Sequence, residues 1–240
     1  MNSQPESVET IRLDPPGCIS DGWNLIKDQY GLFLGITFVG TLLAGLVPFG
    51  IIAGPMYCGI FLALFMKMRQ QPIEFATLFK GFDYFLESLI VTLLIIVASV
   101  AFAVPMVIAF LDVIFVGVGI GESMQSGGVA ALIIIPLIAL LVLAIIAFGV
   151  FIYGLMFFAY PLLVDRNLKA MPALKLSARA VWANKWGILG LMFLNCLVSM
   201  IGALLCYIGL FLYLPIMFAS LAVAYRRMFP EVVPPPAPQF

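Results

Sequence analysis

The sequence predicts an all-α membrane protein, a polytopic bundle of transmembrane helices. Of its 240 residues 64% are hydrophobic and only 10% are charged, and the mean hydropathy is +1.16. A soluble fold of this size could not cover so much apolar surface with so few polar side chains. The uncharged stretches are continuous and do not alternate in polarity, which favours spanning helices over the strands of a membrane barrel.

The first uncharged stretch, 31–66, is too long for one span. A single helix of this length would measure about 54 Å, whereas the hydrocarbon core of a bilayer is about 30 Å thick. Turn-forming residues are concentrated in its middle: Gly45, Pro48, Gly50, Gly54 and Pro55. We therefore predict two spans, 29–48 and 51–69, that are joined by a tight turn.

A second pair of spans is predicted in the centre of the chain. The third span covers 84–111, and Pro105 is expected to kink it. The glycine-rich stretch 112–128 contains two acidic residues and no basic residue, and is predicted to be a loop. The fourth span begins near Val129 and is predicted to be one long or tilted helix.

The last uncharged stretch predicts the third pair of spans. Spans 186–205 and 208–227 are separated by a weak break at Cys206–Gly209. The chain is thus predicted to form six spans, arranged as three hairpins.

A short amphipathic helix is predicted in front of each hairpin. In each of these segments apolar residues recur at positions i, i+4 and i+7, a spacing that places them on one face of a helix. Such a helix is suited to lie in the membrane interface or to pack against the bundle. The three sets are Ile19, Trp23 and Ile26; Phe75, Phe79 and Phe82; and Leu174, Ala178 and Val181.

The basic residues predict the orientation of the six spans. All twelve lysines and arginines fall on one side of the predicted bundle, and the three opposite loops contain none. The positive-inside rule assigns that side, and both termini, to the cytoplasm. The predicted organisation is a flexible cytoplasmic tail over 1–17, a six-span membrane domain over 18–229, and a proline-rich cytoplasmic tail over 230–240.

The residue types in the chain argue against several kinds of chemistry. The sequence has no histidine, and its four cysteines show neither a CxxC pair nor zinc-ligand spacing. We find no phosphate-binding loop, nucleophile–base pair or carboxylate cluster. We therefore predict a protein that is not an enzyme, with no metal, no cofactor and no nucleic-acid partner.

Few polar residues are predicted to lie within the spans. Asp112 and Glu87 are close to predicted span ends and are expected to be interfacial. Asn195 lies deeper, and we expect its amide to form a hydrogen bond between helices.

A group of basic and aromatic residues between spans four and five predicts an interaction with lipid. Each basic residue near an anionic leaflet contributes about 1 kcal/mol, and tryptophan favours the headgroup region. The same residues could also serve only to set the topology. The candidates for headgroup contact are Lys175, Arg179, Trp182, Lys185 and Trp186.

Residues 160–229 resemble the C-terminal part of a broad bacterial family of six-span integral membrane proteins. The likeness rests on an LVD-x3 run at Leu163–Leu168, an NKWG sequence at Asn184–Gly187, a C-x-IG turn at Cys206–Gly209, Pro215 and the closing AYR sequence at Ala224–Arg226. The family includes the membrane domain of some glycerophosphoryl diester phosphodiesterases. The resemblance implies the six-span fold, but it supplies no catalytic residues, and no phosphodiesterase domain is present in these 240 residues.

Two functions are consistent with these features. The first is a lipid-interacting scaffold or membrane-homeostasis factor whose partners are membrane lipids. The alternative is a transporter or permease subunit, because helices interrupted by glycine and proline can line a cavity. A homo-oligomer and a complex with another membrane protein both stay open.

Overall fold

The computed structural model is helical throughout the part that it describes, residues 13–47, 50–123, 127–204 and 208–230. A 3-10 turn, Lys27–Gln29, connects the first two α-helices, and a 3-10 helix, Phe75–Tyr84, precedes the fourth. The α-helices in chain order are α1 (Pro15–Ile26), α2 (Tyr30–Leu46), α3 (Ala53–Met68), α4 (Phe85–Ser123), α5 (Gly127–Arg166), α6 (Ala170–Ala183), α7 (Lys185–Leu204) and α8 (Ile208–Met228).

Four helical segments within the described ranges are long and apolar enough to cross a membrane: Pro15–Leu46, Phe75–Asp112, Lys185–Leu204 and Ile208–Met228. Two shorter apolar segments, Ala53–Met68 and Pro136–Ile145, accompany them. This confirms the prediction of an all-α protein with membrane-spanning helices. The number of six spans and their pairing as three hairpins stay predictions.

Several predicted helix boundaries agree with the structure. The turn between the first two predicted spans lies between Leu46 and Ala53, where Gly50 adopts a positive φ of 64°. Helix α7 ends at Leu204 and α8 begins at Ile208, and the first two residues of the predicted break at Cys206–Gly209 lie outside the described residues. The first helix begins at Pro15, inside the segment that was predicted to be a tail, and proline is favoured at such a first helical position.

The predicted loop at 112–128 is wrong for most of its length. Helix α4 continues through Asp112 to Ser123, and α5 begins at Gly127. The glycines of this stretch alternate with valine and isoleucine. In an apolar environment a backbone that leaves the helix loses hydrogen bonds that no water replaces, so isolated glycines do not end a helix there as readily as in water.

The chain divides into two compact units, Met1–Thr92 with Leu155–Phe240, and Leu93–Gly154. The second unit consists of the adjoining parts of α4 and α5. Many of the apolar side chains described in it are more than half exposed, among them Leu93, Val97 and Leu140. This exposure is expected of side chains that contact lipid.

Helix α3 is the centre of the first unit. Its side chains are buried on nearly every face, and Met56, Ile60 and Leu64 have no exposed surface. A helix that is apolar all round belongs in a core. Two aromatic rings of α8 pack on its second half, Phe218 against Phe61 and Tyr225 against Phe65, and Phe158 on α5 packs in turn on Tyr225.

Helix α1 packs against α7 and α8 through its small residues. The buried positions are Cys18, Gly22 and Ile26, and a Cβ atom on Gly22 would lie 2.7 Å from the backbone nitrogen of Ser220 in α8. Trp23, on the predicted apolar face, is 43% exposed. Of the two placements predicted for this helix, packing against the bundle is therefore the one observed.

The other two short helices pack in the same way. The 3-10 helix buries Thr77, Leu78 and Gly81, and the carbonyl oxygens of Leu78 and Pro55 occupy the space that a Cβ atom on Gly59 or Gly81 would need. Helix α6 buries Ala170, Ala173, Ser177 and Ala180. Phe75, Phe79 and Phe82 stay 40–45% exposed. The offset between the packed face and the predicted apolar stripe is complete in the 3-10 helix and partial in α1, where Ile26 is buried and Trp23 is exposed. Small residues permit close approach of helices, whereas lipid solvates large ones.

Candidate lipid-headgroup surface on α6

The five predicted lipid-contacting residues lie in and directly after α6. Lys175, Arg179 and Trp182 are spaced i, i+4 and i+7, so they share one face of the helix, and all three are exposed. Lys185 and Trp186 follow at the start of α7 and are also exposed. We refer to these five residues as the α6 surface.

The side chains of the two tryptophans of the α6 surface are largely exposed. Trp182 is 71% exposed and Trp186 is 79% exposed. The ammonium nitrogen of Lys185 lies 5.4 Å from the centre of the Trp182 ring, within the range of a cation–π interaction. Exposed indoles beside basic residues are typical of the headgroup region of a bilayer.

A shallow, open depression of about 490 Å³ lies on one side of α6 and is lined by residues of that helix. Lys175 and Arg179 lie beside the apolar side chains of Met171, Pro172 and Leu176 in its lining. Cationic and apolar groups are therefore adjacent on one face. A phospholipid presents complementary groups, because its anionic phosphate lies close to the start of its apolar acyl chains.

Two acidic residues hold the segment that connects α5 to α6. At its far end Glu87, near the start of α4, accepts a hydrogen bond of 2.7 Å on Oε2 from the backbone N–H of Ala170. The N-cap residue Lys169 forms no side-chain cap of its own. A carboxylate at this position complements the partial positive charge of the helix N-terminus. Within the segment Asn167 adopts a positive φ of 48°.

At the near end of the segment, the Asp165 carboxylate at the end of α5 binds side chains of α8 and of Arg69, the residue that follows α3. Arg226 donates to both carboxylate oxygens at 2.7 and 3.0 Å, Arg69 donates to Oδ1 at 2.9 Å, and the Tyr225 hydroxyl donates to Oδ2 at 2.8 Å. The Arg166 Nε lies 3.7 Å from Oδ2. We call this group the Asp165 cluster; it connects the C-terminal ends of α3, α5 and α8.

The Asp165 cluster is shielded from solvent. The carboxylate is 2% exposed, and the side chains of Arg226 and Arg69 are 15% and 40% exposed. The guanidinium of Arg226 also lies 4.7 Å from the centre of the Phe65 ring. A buried carboxylate requires charged partners and several hydrogen bonds, and Asp165 has both.

Sequence reasoning missed both acidic contacts. Asp165 is the single acidic residue between Glu122 and Glu231, and it follows directly on a long uncharged stretch. That isolation was the available signal. The LVD and AYR sequences on which the family resemblance rests contain Asp165, Tyr225 and Arg226, and the structure brings the two sequences together.

The expected interhelical hydrogen bond of Asn195 is confirmed. Tyr213 on α8 donates its hydroxyl to Asn195 Oδ1 at 2.7 Å, and Asn195 Nδ2 donates to the Leu191 carbonyl at 2.9 Å within α7. Ser220 lies 3.4 Å from the amide nitrogen. The buried polar groups of these side chains are thus paired by hydrogen bonds, and these bonds stabilise the packing of α7 on α8.

Among the described residues no group of three or more acidic or cysteine side chains could hold a metal ion. Cys18, Cys58 and Cys196 are free thiols, and Cys206 lies outside the described residues. Comparison of the chain with protein-family models, curated proteins and solved structures gave no match. The resemblance of residues 160–229 to the six-span family stays a prediction.

Proposed function

We propose that this chain is a non-enzymatic, six-span protein of a bacterial inner membrane that binds anionic phospholipid headgroups through the α6 surface. Both termini lie in the cytoplasm in this proposal, and the protein acts as a scaffold or membrane-homeostasis factor. The observation that carries it is the exposure of two indoles and three cations together in and beside one short helix.

Topology marking alone would need only the charges of this segment. It would not need Trp182 and Trp186 to be exposed, nor Lys175 and Arg179 to share a helix face with Trp182. Each basic residue contributes about 1 kcal/mol near an anionic leaflet. Three of them account for roughly two orders of magnitude in affinity for an anionic over a zwitterionic lipid.

The test is to replace Lys175, Arg179 and Lys185 together by glutamine. Binding of phosphatidylglycerol and of phosphatidylcholine to the purified full chain in detergent is then measured by native mass spectrometry. We expect the affinity for phosphatidylglycerol to fall about a hundredfold and the affinity for phosphatidylcholine to change little. Added salt should weaken the wild-type interaction, because exposed charges are screened.

The matched control replaces Lys27, Lys67 and Lys80 by glutamine, which changes the net charge by the same amount at other positions of the proposed cytoplasmic side. This variant should retain most of the selectivity for phosphatidylglycerol. Equal losses in the two triple variants would show that only total charge matters, and would remove the support for the α6 surface. Unchanged lipid binding in both would leave the permease alternative as the better hypothesis.

A further inference from the structure

We infer that Glu87 is a positioning residue for the α6 surface: its contact with the first residue of α6 sets the orientation in which the basic and aromatic side chains meet the membrane. This inference rests on the proposed function. Its basis is the 2.7 Å hydrogen bond from the Ala170 N–H to Glu87 Oε2, which joins the start of α4 to the start of α6.

The apolar contacts of α6 contribute little to its packing against the bundle. Its buried side chains are those of Ala170, Ala173, Ser177 and Ala180. Small side chains bury little apolar area, and the stabilisation from burial scales with that area. The orientation of α6 therefore depends strongly on polar contacts at its ends. It would depend on them less if leucine or phenylalanine occupied the four buried positions.

Polar contacts hold both ends of the short segment that connects α5 to α6. The Asp165 cluster fixes the last turn of α5, and Glu87 fixes the first residue of α6, only a few positions later. Trp182 lies twelve residues beyond Ala170, about 18 Å along the helix axis. The far end of α6 is held at the buried Asn184, where α7 begins, so the contact of Glu87 at the near end completes the fixing of the face that carries Trp182.

The experiment compares Glu87→Ala, Glu87→Gln and wild type in a background where Trp23 and Trp186 are replaced by phenylalanine. Trp182 is then the one tryptophan of the chain. The full-length proteins are reconstituted into vesicles that contain phosphatidylglycerol with bromine at defined acyl positions. Quenching of Trp182 fluorescence reports its depth, and native mass spectrometry reports the affinity for phosphatidylglycerol.

We expect Glu87→Ala to change the quenching depth of Trp182 and to weaken phosphatidylglycerol binding roughly fivefold, the equivalent of removing one basic residue from the surface. Glu87→Gln keeps an acceptor oxygen for the Ala170 N–H and should show a smaller change in the same direction. The control Asp83→Asn removes an exposed carboxylate from the preceding 3-10 helix and should behave as wild type.

An unchanged Trp182 depth in Glu87→Ala would overturn the inference, as would an equal shift in Asp83→Asn. If Glu87→Ala does not give a folded protein, Glu87→Gln decides, and wild-type depth and affinity in that variant would overturn it. The depth measurement does not depend on lipid specificity. A shifted depth together with unselective lipid binding would therefore contradict the proposed function and leave the positioning role intact.

Discussion

Two aspartates show how burial determines the contribution of an ion pair to the free energy of unfolding. Asp165 is 2% exposed and binds Arg69, Arg226 and Tyr225, whereas Asp21 is 55% exposed and pairs with Arg227 at 2.6 Å. Removing one partner of a buried pair leaves other charges without compensation and costs about 3–5 kcal/mol. An exposed pair contributes about 0–1 kcal/mol, because water and salt screen it.

We therefore predict that Asp165→Asn lowers the free energy of unfolding by about 3 kcal/mol. The substitution keeps the size of the side chain and removes the charge that faces Arg226. Equilibrium unfolding in mixed micelles, followed by circular dichroism, measures the change.

The matched control is Asp21→Asn, which should change the free energy of unfolding by less than about 1 kcal/mol. Equal effects of the two substitutions would mean that the Asp165 cluster adds no more than a surface pair does.

The residue-scale contacts were the least predictable part of the molecule. The partners of Asp165 lie at positions 69, 225 and 226, and no local pattern relates positions so far apart in the chain. The hydrogen bond of Asn195 was predictable in kind, because a lone amide inside an apolar helix must find a partner. Its particular partner, Tyr213, was not.

At the scale of the helix, small residues determine which faces pack. Gly22, Gly59 and Gly81 lie where another backbone comes too close for a side chain. Trp23 beside Gly22 and Phe82 beside Gly81 stay 43% and 40% exposed. Periodicity in hydrophobicity identified the existence of the short helices, but in the 3-10 helix the predicted apolar face, Phe75, Phe79 and Phe82, is the exposed one. In water the large residues would have marked the packed face; in lipid they gain little from protein contact.

We predict that Gly22→Ala destabilises the protein by about 1–3 kcal/mol, the usual cost of adding a methyl group to a filled interface. The added Cβ atom would lie 2.7 Å from the Ser220 nitrogen and would separate α1 from α8. Thermal unfolding in detergent, monitored by intrinsic fluorescence, measures the loss.

Gly31→Ala is the control for this prediction, because no heavy atom lies within 4 Å of the Cβ position there. It should leave stability unchanged or raise it by up to about 1 kcal/mol, since alanine favours the helix over glycine. A loss at Gly31 as large as that at Gly22 would show that glycine is needed for a reason other than close packing.

At the scale of the whole molecule, the distribution of charge is the strongest basis for a topology. With six spans every basic residue lies on one side, whereas a single helix over 31–66 or a hairpin over 129–164 would place basic residues on both sides. Composition was sufficient for the all-α class and for the apolar helices. It was insufficient for the extent of α4, whose glycines were interpreted as a loop although the helix continues to Ser123.

We predict that a reporter inserted near Lys175 or after residue 230 lies in the cytoplasm. A reporter inserted at Gly121–Gly128 should lie on the opposite side of the membrane. Paired alkaline phosphatase and fluorescent-protein fusions to the full chain measure this. A fusion between Gly121 and Gly128 that behaves as cytoplasmic would contradict the six-span topology, because the central hairpin would then not cross the membrane.

The packing of α1 on α8 has a consequence for how the chain is made. Helix α1 packs on α8, and about 200 residues of synthesis separate them, roughly 10–40 s at ordinary rates of translation. Throughout this interval the face of α1 that carries Cys18 and Gly22 lacks its contact with α8. The packing of α1 therefore finishes only after α8 has been synthesised, and until then this face of α1 is covered by the insertion machinery or by lipid.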